Sequence, residues 1–538
     1  MITFDIKQGE SGLILSGLSV PKGVLFRGDC LSASCTQEGP EIPFWWDARA
    51  YWSDGSIKWI FFHALITPGA EKLMIRRCES SSVRCFFPEC EVLPSDSRDD
   101  GFAASVVRVG GRTVLTCVLS FPGMTSEQKA APVHVELLEA SPFAPLFLVS
   151  CGRSNSLCEI SAEYLIRADL ASFMFIVTCR YSLASRSVSE LNELTFSMQC
   201  DPAYFGNPDM ERHIYASITD IKRRGPAEVR SFPGDPGRYD FVLFPGLSEK
   251  IKVKGGISLR QEYRIGKSDI LTLSEITRPP SLSSPLISPG AVKGLERLFE
   301  RAVDTYSDPV RQSFHILDDG DWPLSLGQYG TKGYTGYADN EYDAPYAFFL
   351  AYAATGNRDH LDIALRGSVH MADIDCMCDN GDMLYHGYNE EADDHRLHRT
   401  DSGDLGHYWT DGLWHSYFLT GDIFARQAAL ALMRHIIRIF DTLTCEEAFS
   451  VCERNIGWPL MVAVSELETG LADDTVIGFI DKLIGFVDSY TADPDKYYMD
   501  PSGPIWWRCA FRDGSKPFIL GVLGEALERY HEYTGDTR

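Results

Sequence analysis

Along the first half of the chain, apolar and polar positions alternate with a period of two. The runs are short: GLILS, KGVLFRG, FWWDARAYW and SIKWIFFHAL, then SVVRVGG, RTVLTCVLSF, HVELLEA, LFLVSCG, ASFMFIVTCRYS, LTFSMQC and YDFVLF. Period two places successive side chains on opposite faces, which is the pattern of half-buried strands. Ser53-Asp54-Gly55 supplies a tight turn between two of these runs. Strands this regular, separated by Gly, Pro and Ser, predict a barrel over residues 1–98 followed by a sandwich over residues 99–284.

The period changes after ITRPPSLSSPLISPG, a proline-rich linker ending at Gly290. Beyond it the apolar spacing is helical and the text repeats. Four helix candidates end in Thr-Gly, at Thr355, Thr420, Thr469 and Thr534. Glycine just past a helix end supplies a left-handed cap, and a following Asn or Asp can cap the next helix. The spacing suits αα-hairpins joined by long loops, so residues 285–538 are expected to form an αα toroid. Only Thr537 and Arg538 follow the last Thr-Gly-Asp. The toroid is therefore expected to be incomplete there, with an exposed helix edge that would favour a homo-oligomer.

If every tight turn lies at one end, the long loops Asp321–Asn340, Tyr385–Gly406 and Lys496–Lys516 converge at the other. All three are rich in aromatics, glycine and charge. The densest stretch, Tyr385 to His415, holds five histidines, two arginines, seven carboxylates, three tyrosines and two tryptophans. Loops this long are usually functional or disordered, and this much aromatic surface argues against disorder. It is read as one wall of a carbohydrate-sized cleft.

Charge narrows the partners. The formal net charge is −25, which argues against nucleic acid and anionic membrane surfaces. No apolar run is long enough to span a membrane, and the amino terminus lacks the pattern of a signal peptide, so a cytoplasmic address is expected. The fifteen cysteines are read as reduced, mostly buried small hydrophobes. Cys376 with Cys378, and Cys85 with Cys90, lack the partner pairs of a zinc ribbon. There is no phosphate cradle, no Gly-x-Ser-x-Gly elbow and no His-Glu-x-x-His helix. No cofactor is called for, though Asp393, Asp394, Asp401 and Asp404 have the oxygen donors for Ca²⁺.

VPKGVLFRG followed by ARAYWSDGSIKW resembles the opening barrel of exo-rhamnogalacturonan lyase-like proteins. ADNEYDAPYAFFLAYAATGNRDHLDIALRGSVHMADID resembles the start of their toroid, and GHYWTDGLWHSYFLTGD a later hairpin. The resemblance implies a carbon–oxygen lyase that cleaves a uronic-acid-containing, rhamnogalacturonan-like oligosaccharide by β-elimination. Such chemistry needs the uronate neutralised, a base for the C5 proton and an acid for the leaving oxygen. On that footing His407, Arg399, His386, Tyr388 and Tyr342 are the catalytic candidates. Asn340, Glu341, His398, Trp409, Trp506 and Arg508 are the substrate-binding candidates. Each has a plainer reading: His407 as a helix-start hydrogen bonder, Arg399 in a surface salt bridge, Asn340 as a helix N-cap. His370 and His415 read as core histidines, and Trp45, Trp46 and Trp59 as packing. Two other functions remain open: a glycoside hydrolase pairing Glu341 with Asp401 or Asp404, and a non-catalytic sugar-binding protein.

Overall fold

The structure is a computed structural model. It describes residues 2–5, 12–37, 39–66, 70, 72–79, 89–95, 102–120, 132–141, 145–151, 160–168, 172–181, 189–191, 194–205, 217–218, 228–231, 238–244, 251–253, 258–266, 343–379, 382–386, 405–449, 453–492 and 517–537. Among the described residues strands predominate up to Gly266 and helices from Ala344, with a short helix at Pro202–Phe205 and a hairpin at Cys376–His386 as the exceptions. Among the described residues no helix is long and apolar enough to cross a membrane.

The first seven strands are β1 (Ile2–Asp5), β2 (Gly12–Ser19), β3 (Cys30–Ser34), β4 (Glu41–Ile42), β5 (Phe44–Tyr51), β6 (Ile57–Ile66) and β7 (Lys72–Cys78). They do not close into the expected barrel. They form two antiparallel sheets, β1-β7-β3-β4 and β2-β6-β5. Pro43 separates β4 from β5. Having no N–H, it cannot extend a ladder across that point, and its two neighbours pair into different sheets. The Ser53–Gly55 turn does join β5 to β6, with Gly55 at φ +78°.

The next strands are β8 (Cys90–Pro94), β9 (Phe102–Val109), β10 (Arg112–Ser120), β11 (Val133–Glu139), β12 (Leu146–Cys151), β13 (Ile160–Ala168), β14 (Ser172–Tyr181), β15 (Ser189–Leu191), β16 (Leu194–Cys200), β17 (Ser217–Ile218), β18 (Glu228–Ser231), β19 (Arg238–Phe244), β20 (Ile251–Val253) and β21 (Ser258–Gly266). Two six-stranded antiparallel sheets result, β18-β19-β16-β10-β9-β8 and β11-β12-β13-β14-β21-β17. They meet where β11 and β12 touch β8 and β9.

The described α-helices after residue 343 are α1 (Ala344–Thr355), α2 (Arg358–His370), α3 (Asp411–Thr420), α4 (Ile423–Phe440), α5 (Cys445–Phe449), α6 (Arg454–Thr469), α7 (Asp474–Ala492) and α8 (Pro517–Thr534). All four predicted Thr-Gly ends are present. Gly356, Gly421, Gly470 and Gly535 adopt φ between 69° and 73°. Each threonine hydroxyl donates back into its own helix, Thr355 to Ala351 O and Thr420 to Ser416 O at 2.7 Å, Thr469 to Glu466 O at 2.6 Å and Thr534 to Tyr530 O at 2.7 Å. Asn357, Asp422 and Asp473 then accept backbone N–H bonds from the next helix. The carboxylate or amide covers N–H groups left open at the start of the next helix.

Two boundaries differ from expectation. Asp343, not Asn340, caps α1: its side chain accepts from Tyr346 N at 3.2 Å, and Pro345 sits in the first turn. Proline suits that position because its missing N–H is one the helix would leave open. The loop expected from Tyr385 begins inside a hairpin, β22 (Cys376–Asp379) paired with β23 (Asp382–His386).

One core joins the N-terminal sheets to the helices. It runs from Ile14 and Phe62 through Leu146 and Leu148 to Trp414, Leu432 and Leu483. At Gly17 on β2 the approach is so close that a Cβ would collide with the backbone of Phe418 and Leu419 on α3. Arg49 ties the three regions together at a point. It bonds Glu139 at 2.6 Å at the end of β11 and also the Tyr417 hydroxyl of α3, and lies over the rings of Phe61 and Tyr417. His63 approaches the other oxygen of Glu139 at 3.4 Å.

Candidate functional site

The segment singled out in the sequence enters α3 through a 3₁₀ turn, Leu405–His407. His407 is 5% exposed and Trp409 is 2% exposed. Their rings meet edge-on at 6.0 Å, and Trp409 meets Trp458 of α6 edge-on at 5.7 Å. Trp409, expected to bind substrate, is buried against His407 and Trp458. Tyr408 beside it reaches His435 at 3.4 Å. Of the other candidates, His386 is placed only by its backbone on β23. Arg399, Tyr388, Tyr342, Asn340, Glu341, His398, Trp506 and Arg508 lie outside the described residues, as do Asp393, Asp394, Asp401 and Asp404.

What α3 carries next is a buried ionic cluster. The Arg529 guanidinium of α8 shares Nη1 between the two oxygens of Asp411, at 2.9 and 3.0 Å, and is bidentate to Glu468 of α6 through Nε and Nη2, at 3.1 and 2.7 Å. Lys58 of β6 adds a 2.8 Å contact to Glu468, and Ser465 donates to Asp411 at 2.9 Å. Burial alone would raise the Glu468 carboxyl, but Arg529 and Lys58 outweigh it and hold it down at about 2. Burial likewise opposes the Arg529 charge, and the two carboxylates keep it protonated.

Asp343 caps α1 beside this cluster and accepts from Gly412 N at 2.9 Å. It holds the unusual φ of +58°. Burial, with repulsion from Asp411, lifts its carboxyl to about 7 against those backbone bonds. His415, one turn into α3, bonds the Asp411 carbonyl through Nδ1 at 2.7 Å. It is ringed by Trp59, Tyr346, Phe349 and Phe418. Burial pulls it down to about 4 even though Asp411 favours its charge. His415 packs among these rings with the imidazole neutral at pH 7, and it also lines the neighbouring cavity.

The cluster forms the floor of a cavity of about 840 Å³ between the N-terminal sheets and helices α1, α3, α6 and α8. Trp52, Trp59, Tyr346 and Tyr533 contribute aromatic walls. The volume suits a mono- or disaccharide. Its described lining carries five carboxylates, Asp411, Glu468, Glu525, Glu528 and Glu532, against the three cations Lys22, Lys58 and Arg529. All three guanidinium nitrogens donate to these two carboxylates. Lys58 is engaged by Glu468 and lies 4.7 Å over the Trp52 ring. Burial and the Asp411 charge raise Glu525.

Sequence reasoning missed this cluster. Arg529 and Asp411 are 118 residues apart and Lys58 lies in a strand, so no spacing could join them. Trp59, expected as packing, both packs in the core and lines the cavity. Among the described residues, no group of three or more His, Cys, Asp or Glu is placed to hold a metal ion. No protein-family model matches the chain, and no curated protein matches it.

Proposed function

We propose that this protein is a carbon–oxygen lyase that cleaves a uronic-acid-containing oligosaccharide, of rhamnogalacturonan type, by β-elimination. The scaffold in this reading is a β-sandwich over residues 99–284 and a short αα toroid over residues 285–538. The observation that carries it is the placement of the tight turns. Gly421 lies against Phe61 and Glu139, and Gly470 against Tyr51, so these hairpin ends are seated on the β-structure. The loops that join hairpins leave from their other ends, and the segment that returns into α3 bears His407 and Trp409. The resemblance of both chain ends to exo-rhamnogalacturonan lyase-like proteins supports the same reading.

In this mechanism Arg399, with His398, neutralises the uronate and acidifies C5–H. His407 or His386 takes that proton. The electron pair forms the C4–C5 double bond as C4–O4 breaks, and Tyr388 or Tyr342 protonates the departing oxygen. Asn340, Glu341, Trp506 and Arg508 hold the flanking sugar. The substrate is an acidic oligosaccharide, with neither cofactor nor metal required by the chemistry.

The cavity favours a second reading, because its surplus of carboxylates and committed cations suits an uncharged sugar. A glycoside hydrolase, using Glu341 with Asp401 or Asp404, meets that condition. One experiment separates them. The protein is incubated with rhamnogalacturonan, homogalacturonan, glucuronan and ulvan oligosaccharides, with and without Ca²⁺, and followed by near-ultraviolet absorbance and chromatography. The lyase yields a 4,5-unsaturated product that absorbs, and His407→Ala and Arg399→Ala each abolish the rise. Shortened sugars without absorbance establish the hydrolase. Saturable binding of intact sugars establishes a binding protein and overturns both.

A further inference from the structure

Cys30 ends the chain's approach to β3, and Cys78 is the last residue of β7. The two are directly opposed across an antiparallel pair, although 48 residues separate them in sequence. The Cys78 thiol donates to Cys30 Sγ at 3.1 Å. Both side chains are partly exposed and both are free thiols. Directly opposed residues on antiparallel strands have Cα atoms roughly 4.5–5.5 Å apart. That lies within the span of about 4.4–6.8 Å which a disulfide bridges. A sulfur–sulfur bond of about 2.05 Å then needs only side-chain rotation to close the remaining gap of about 1 Å.

We propose that Cys30 and Cys78 are a thiol–disulfide redox pair that closes to a cross-strand disulfide and clamps the rim of the cavity. The rim is the segment leading into Cys30. Val20 and Lys22 line the cavity, and the Val20 carbonyl accepts from the Trp52 indole at 2.8 Å. Phe26 bridges to Ser56, and Asp29 both accepts from Phe26 N at 2.8 Å and pairs with Arg77. One disulfide therefore fixes the far end of this segment to β7. The inference does not depend on which sugar the protein takes.

The oxidant is a low-molecular-weight disulfide such as glutathione disulfide. The Cys78 thiol donates to Cys30 Sγ, which leaves Cys30 as the acceptor sulfur and the first nucleophile; burial and the neighbouring Cys30 sulfur raise Cys78. Its thiolate attacks one sulfur of glutathione disulfide, forming a mixed disulfide and expelling one glutathione thiolate. Cys78 then loses its proton and attacks Cys30 Sγ, expelling the second. The protein sulfurs give up two electrons and two protons, which end as two glutathione thiols.

The test uses the reduced full-length chain under native conditions with glutathione disulfide, acid quench and peptide mapping. The expected result is a peptide pair joined through Cys30 and Cys78 that appears before any other intramolecular link. In Cys30→Ser or Cys78→Ser the link is absent and the remaining cysteine keeps one glutathione. A glutathione adduct persisting on Cys30 or Cys78 in the unsubstituted chain overturns the proposal, and so does no reaction at either. Phenylarsine oxide, which bridges neighbouring thiols without oxidising them, should protect both from iodoacetamide at one equivalent; failure to protect counts against the pairing. Amide exchange over residues 20–30 should slow on oxidation, and unchanged exchange in the linked protein refutes the clamp.

Discussion

Arg529→Met is the sharpest test of how the helical region is held against the β-structure. Methionine keeps most of the apolar stem and removes the guanidinium that bridges Asp411 and Glu468 through four hydrogen bonds. Removing one partner from a buried ion pair costs about 3–5 kcal/mol. The Arg529 side chain is 21% exposed, so water reaches the site and the lower figure, about 3 kcal/mol, applies. Proton linkage provides an independent route. Glu468 sits at about 2 in the folded protein, against roughly 4.3 for an unstrained glutamate, and that difference is worth about 3 kcal/mol. Lys58 shares in holding Glu468 down, so this figure is an upper bound on the part Arg529 supplies. With a urea slope of about 3 kcal/mol per molar, the midpoint of helical unfolding should fall by about 1 M at neutral pH.

The pH dependence gives a second, sign-specific readout. Because Glu468 is depressed on folding, its stabilisation is complete above roughly pH 4.3 and is lost as pH falls toward about 2. The gap between the unsubstituted chain and the variant should therefore be flat from about pH 7 to 5 and then narrow. Urea titrations followed by circular dichroism at each pH measure both quantities. A midpoint change under about 0.3 M, or a gap that widens on acidification, would refute the assignment of Arg529 as the bridge.

Three further outcomes are expected. Gly421→Ala should lose about 3 kcal/mol, because its φ of +73° is costly for alanine and the new Cβ would lie 2.9 Å from Phe61 Cζ. Gly535→Ala, at φ +72° with nothing within 4 Å, should lose only about 1 kcal/mol; equal urea midpoints for the two would contradict the docking of the Thr420 turn on β6. His415 is held at about 4 in the folded state, so its contribution is present above roughly pH 6.5 and lost as pH falls through about 4. His415→Gln should lower stability at neutral pH through lost packing, yet flatten the slope over that window by about 2 kcal/mol after discounting for partial exposure. An unchanged slope in thermal or urea unfolding would show that His415 is not the group that titrates.

Much of the fold was legible because its signals are local. A period of two needs only neighbouring side chains, and the change to 3.6 after Gly290 falls between the last described strand before it, ending at Gly266, and the first described helix after it, beginning at Ala344. The Thr-Gly-Asn/Asp punctuation is written within four residues, since a cap satisfies backbone groups one turn away. The β22–β23 hairpin was not expected, although the Asn380-Gly381 dipeptide between its strands is a local signal for a two-residue turn. In the wall segment, residue density drew the eye to Tyr385–His415, and the structure places its Asp411 and His415 at the cavity.

What no local pattern could decide is which distant residues meet. Closure of the first sheets depended on whether edge strands pair, and Pro43 sends its neighbours into different ladders. Asp411, Glu468, Arg529 and Lys58 come from three helices and a strand, and only the packing of those elements places two carboxylates on one guanidinium. The values near 2 for Glu468, 4 for His415 and 7 for Asp343 follow from burial and from those neighbours, neither of which is encoded in the residue type. Cys30 and Cys78 become partners through strand register alone. Amino-acid order by itself determined the strand and helix periods and the Thr-Gly helix ends, because short-range sterics and hydrogen bonding act along the chain. Tertiary structure alone decided the cavity, its charges and the thiol pair, because desolvation and Coulomb forces act between groups that folding brings together.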